Sequence, residues 1–110
     1  MEKITYEFHP VPAIEVNGQV FTLQMSDADI FDRAIAIQAK YKRLGKKPNP
    51  AKVMSAVKEC SAAVDEMLGK GAMDRISGGK PVRMSDAVNI MLLIAGAAAR
   101  SYGKKLESYE

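Results

Sequence analysis

Tryptophan is absent from this chain, and cysteine and histidine occur once each. A lone Cys60 excludes an internal disulfide, and a lone His9 with no second ligand beside it leaves no metal-binding spacing. No histidine stands where it would activate Ser26 or Ser85, and both serines read as helix caps. The carboxylates Asp27, Asp29 and Asp32 cluster at one helix start, where capping and solvent account for them, so no acid–base pair emerges. Gly69-Lys70-Gly71 and Gly78-Gly79-Lys80 lack the GxxxxGK spacing and the preceding buried strand of a phosphate loop. The longest run without a polar side chain, Ile90 to Ala99, is ten residues, half of what a bilayer requires. The N-terminus carries no hydrophobic leader segment, so a cytoplasmic protein without membrane association is expected. These absences point to a protein that is not an enzyme and uses no cofactor or metal.

Three Phe and four Tyr are the only aromatics. The core is therefore aliphatic, built from Ile, Val, Leu, Ala and seven Met. With 110 residues and 47% hydrophobic content, the chain suits one domain with a real core. The net charge of +3 is mild, but its distribution is uneven. Lys40, Lys42, Arg43, Lys46 and Lys47 form a basic patch at one helix end, where the helix dipole already favours cations. No aromatic-rich strand accompanies it, so nucleic acid is not an expected partner.

The patterning gives a mainly α fold with a small N-terminal β-hairpin (α+β), three main helices and one short helix. Residues 3–24 form the strand and hairpin region. Ile4, Tyr6 and Phe8 alternate with Lys3, Thr5 and Glu7 as in a half-buried strand, and Pro10 and Pro12 stop it. Asn17-Gly18 between IEV and QVFTLQ is a hairpin signal. Ile14 and Val16 share a face with Val20 and, depending on register, with Phe21. The hairpin edges carry no protecting charge.

The helical region spans 26–103. The first helix opens at Ser26, carries Ile30, Ala34, Ile37, Tyr41 and Leu44 as a stripe widened by Phe31 and Ile35, and ends at Gly45. The second opens with Asn49 as cap and Pro50 at the first position, and buries Val53, Val57, Cys60, Val64 and Met67 or Leu68. Asp65 and Glu66 sit late in it, against the dipole; an ion pair with Lys70 or with a lysine of a partner protein would account for them, the local pair being the expected one. A short helix covers Ala72–Ile76. The third main helix begins at Ser85 and is apolar all round, which suits a central position or an oligomer interface. The tail, 104–110, is expected to fray.

The run VDEMLGKGAMDRISGGKPVRMSDAVNIMLLI, Val64 to Ile94, resembles the pattern of tail assembly chaperones from long-tailed phages and prophages of Gram-positive bacteria. The matching residues are Leu68, Gly69, Gly71, Ala72, Asp74, Ile76, Gly78, Gly79, Pro81, Asp86 and Val88. Where that family often has a bulky aromatic before the glycines, this chain has Ser77. The upstream VNGQVFTL hairpin and Ser-Asp helix start are similar in style. The resemblance implies a small helical factor, present in virion assembly, that binds the tape measure protein and helps tail tube subunits assemble around it. It also implies that a chain ending at Glu110 is the short form of a pair related by frameshifting. Such a client needs an adaptable apolar groove, for which Met67, Leu68, Met73, Ile76, Met84, Met91 and Leu92 are the candidate protein-binding residues, together with self-association. The alternative reading is a structural tail completion or connector protein forming a ring. A basic nucleic-acid-associated protein, resting on Lys40 to Lys47, is a third.

Overall fold

A computed structural model of the chain describes residues 1–7, 13–42 and 49–107, with only the backbone for 101–107. Two strands, β1 (Ala13–Val16) and β2 (Gln19–Thr22), precede four helices: α1 (Asp27–Lys40), α2 (Pro50–Leu68), α3 (Ala72–Ser77) and α4 (Met84–Glu107). The fold is mainly α with a small antiparallel hairpin, as the patterning predicts. Residues 1–7 form no strand, which departs from the alternation read there. Residues 8–12, including Phe8 and His9, lie outside the described part.

The hairpin turns at Asn17 and Gly18, both at positive φ (51° and 78°). This type I′ geometry matches the twist of its strands. The register pairs Ile14 with Phe21 and Glu15 with Val20. Residues paired across a ladder share a face, so Phe21 joins Ile14 and Val16 inside, while Val20 faces solvent at 64% exposure. Val20 is thus on the opposite face from Ile14 and Val16, contrary to the sequence expectation.

α1 starts where expected: the Ser26 hydroxyl accepts from the Asp29 amide at 3.1 Å. Ile30, Ala34 and Ile37 are buried, and Tyr41 is half-buried and caps the C-terminus. Phe31 and Ile35 do not widen the buried stripe; they remain 48% and 46% exposed. Leu44, Gly45 and Pro48 lie outside the described residues. α2 opens as predicted, with Asn49 Oδ1 accepting from the amides of Ala51 and Lys52, and buries Ala56, Cys60, Ala63, Val64, Met67 and Leu68.

The late acidic pair of α2 has other partners than Lys70. Asp65 Oδ1 accepts from the Met73 amide at 2.9 Å. Gly71, the N-cap of α3, has no side chain to offer, so Asp65 caps that helix from the preceding one. Glu66 instead pairs with Arg33 of α1 at 3.4 Å. Gly78 closes α3 in the left-handed conformation at φ 62°, its amide donating to the Asp74 carbonyl. The glycines here make turns and caps.

α4 begins one residue earlier than the sequence suggests. The Ala87 amide donates to the Arg83 carbonyl at 2.9 Å, so Ser85 lies inside the first turn and does not cap it. The helical backbone runs on to Glu107 and does not stop near Gly103. α4 packs on both α1 and α2, and α3 packs on α2 and β2. Of the two placements that all-round apolarity left open, a central position or an oligomer interface, packing against both α1 and α2 fits the central one.

The core comprises Phe21 and Leu23 from the hairpin region, with Ile30, Val64, Met67, Met73, Ile76, Met91 and Ile94 among its larger members. No polar or charged residue is buried among those described. The hairpin is tied down at its turn: Asn17 Nδ2 donates to the Ile76 carbonyl, and Gln19 Nε2 to the Arg75 carbonyl. The Arg75 guanidinium in turn lies 4.6 Å from the Phe21 ring centroid.

Candidate functional site

Five of the seven candidate protein-binding residues are core. Met67 and Met91 are fully buried, Met73 is 3% exposed, and Leu68 and Ile76 are 5% exposed; none of the five presents surface to a client. Met84 and Leu92 are half-buried. The reason is economy of packing in a small domain with few aromatics, where flexible Met side chains fill the space between helices.

Of the basic patch, Lys40 and Lys42 are described. Lys40 Nζ lies 2.9 Å from Glu59 Oε1 on α2, and the Tyr41 hydroxyl donates to the other oxygen of the same carboxylate. These hydrogen bonds hold the Glu59 carboxyl below its usual range, that from Tyr41 contributing most and that from Lys40 next. The same contacts with Glu59 raise Lys40 and Tyr41 above theirs. Lys40 thus fastens α1 to α2. Lys42 is exposed, and Arg43, Lys46 and Lys47 lie outside the described residues. Cys60 is buried, and burial pushes its thiol up, which makes it a poor nucleophile. Among the described residues there is no grouping of His, Cys, Asp and Glu that would hold a metal ion. No helix among them is long and apolar enough to cross a membrane.

Among the concavities that the described residues form are two on the surface. The larger, about 760 Å³, lies between α1 and α4 and is lined by Asp27, Ala28, Asp29, Phe31, Asp32, Ile35 and Ala99. Its floor is apolar, formed by Phe31, Ile35 and the small side chains of Ala28 and Ala99. Three carboxylates edge it. Asp27 and Asp29 stand in the first turn of α1, where acidic residues complement the positive end of that helix, and Asp32 follows in the next turn. Phe31 and Ile35, four residues apart, project from one side of α1, a quarter-turn from the stripe that meets the core.

The second concavity runs along β1 and α4. Its two ends, about 360 and 350 Å³, share Asn17, Ile76 and Ile90. Ile14, Val16, Leu93, Ala97 and Arg100 line the end toward the α4 C-terminus, and Leu93 is 70% exposed. Of the seven candidate protein-binding residues, only Ile76 lines either surface, at the second concavity. The signal that could have found them is the excess width of two apolar stripes: Phe31 and Ile35 on the first helix, Ile90, Leu93 and Ala97 on the last.

Compared with models of protein families, with curated proteins and with solved structures, the chain matches none of them.

Proposed function

We propose that this chain is a non-catalytic protein-binding factor, and that the groove between α1 and α4 receives an amphipathic helix of its client. The observation that carries this reading is the combination of an open apolar floor, Phe31 and Ile35 at nearly half exposure, with a rim of Asp27, Asp29 and Asp32. A helix presenting aliphatic residues at i, i+3 and i+4 with flanking Lys or Arg fits both features, apolar face down and cations against the carboxylates.

The resemblance of Val64–Ile94 to tail assembly chaperones supplies the client class. The helix received is then one of the tape measure protein, held soluble in the host cytoplasm until tail tube subunits assemble around it. Within this reading the Gly-punctuated segment is architectural: it turns the chain from α2 into α4 through α3.

Co-expression with the tape measure protein encoded nearest to the gene tests this. The parent chain is expected to co-purify with the client and keep it in the soluble fraction. The double variant Phe31→Asp with Ile35→Asp, both on the surface and therefore compatible with folding, is expected to leave the client in the pellet, and Val20→Lys on the hairpin's outer face is expected to behave as the parent. A client that stays insoluble with the parent, or stays soluble with the double variant, overturns the proposal.

A further inference from the structure

The second groove has a different occupant in view. The two-strand ladder closes at the Val16–Gln19 pair next to a two-residue turn, so Val16 and Ile14 direct their backbone groups to β2. Ala13 and Glu15 then direct theirs outward. The outer edge of β1 borders the groove, since Ile14, Glu15 and Val16 line it and no residue of β2 does. Among the described residues the sheet ends at β1, and a strand edge above exposed Leu93 is a template for a further strand.

The same chain carries a matching segment. Lys3–Glu7 alternates Ile4 and Tyr6 with Lys3, Thr5 and Glu7, forms no strand of its own, and leaves Ile4 88% and Tyr6 62% exposed. Laid beside β1, it puts Ile4 and Tyr6 on the face of Ile14 and Val16, over Leu93 and Ala97 of α4. Lys3, Thr5 and Glu7 then share the solvent face with Glu15, so a register that sets Lys3 opposite Glu15 is favoured over one that sets Glu7 there. Within its own chain the segment does not return to β1: residues 1–7 form no strand and the sheet has two strands among the described residues.

We propose that Lys3–Glu7 of a second copy adds to the outer edge of β1 as a third strand, and that reciprocal exchange closes a two-fold dimer. This stands apart from the α1–α4 groove and from the identity of any client.

Light scattering coupled to size exclusion, over about a hundredfold range of protein concentration, and amide exchange at Ala13 and Glu15 test it together. The full chain is expected to pass from monomer to dimer, with the Ala13 and Glu15 amides slowing in step. Ile4→Asp with Tyr6→Asp is expected to stay monomeric with fast amides, its helical circular dichroism unchanged. Glu15→Pro removes one outward N–H, which an edge strand tolerates, and is expected to weaken the dimer at least tenfold. A monomer at every concentration overturns the proposal, whether those amides are fast or, from a return within one chain, slow. So does a dimer that survives Ile4→Asp with Tyr6→Asp.

Discussion

Asp65 does two jobs at the α2–α3 junction. Its carbonyl accepts from Gly69 at 2.7 Å and its carboxylate accepts from Met73, so one residue ends one helix and starts the next. Only the side-chain contact is lost on mutation. Asp65→Ala is expected to cost about 1 kcal/mol, the worth of a helix cap, measured by urea unfolding. Gly78→Ala should cost a similar ~1 kcal/mol, because a Cβ there meets no atom within 4 Å and only the left-handed backbone opposes it. At Glu59 the sign of the pH dependence follows from its lowered pKa. The contribution is present above the ordinary carboxylate range and is lost as pH falls through the lowered folded value. Lys40 and Tyr41, both raised, contribute below their ordinary values and lose that contribution only at alkaline pH. Glu59→Gln is therefore expected to flatten the acid limb of a melting-temperature profile. At this scale the sequence was legible where a residue acts on its own neighbourhood, as with Ser26, Asn49 and Gly78. It was not legible for Asp65, Glu66 and Lys40, whose partners come from other elements.

At the scale of elements, the hairpin is held by its inner face and its turn. Phe21 is 3% exposed and stacked under Arg75, so Phe21→Ala is expected to cost about 3–5 kcal/mol. Val20→Thr on the other face should change stability by less than about 0.5 kcal/mol. Equal effects in denaturant titrations would mean that the ladder is registered differently. Periodicity located every main helix and the turn, because amphipathic spacing and Asn-Gly are local signals. It could not choose between Val20 and Phe21, since a one-residue slip exchanges the two faces. Nor could it separate Met67, Met73 and Met91 from a binding lining, because a buried stripe and a groove share the same composition.

For the whole molecule, α4 carries the argument. Met91, Ile94 and Ala98 face the core, while Ala99 and Leu93 open onto the two grooves on either side. Its apolarity all round thus has three separate destinations, one internal and two on the surface. Met91→Asp should unfold the chain, since it places a charge in a fully buried position, whereas Phe31→Asp should leave the fold intact. Cooperative unfolding followed by circular dichroism separates the two outcomes.

The most direct measurement is the methyl spectrum of isoleucine-labelled protein as a synthetic amphipathic helix, aliphatic on one face and flanked by lysine, is titrated in. The account predicts that the Ile35 methyl shifts with saturation while Ile14 and Ile90, in the other groove, and Ile30, in the core, stay in place. Saturating shifts at Ile14 and Ile90 with Ile35 unmoved, or no shift at any of them, would contradict it.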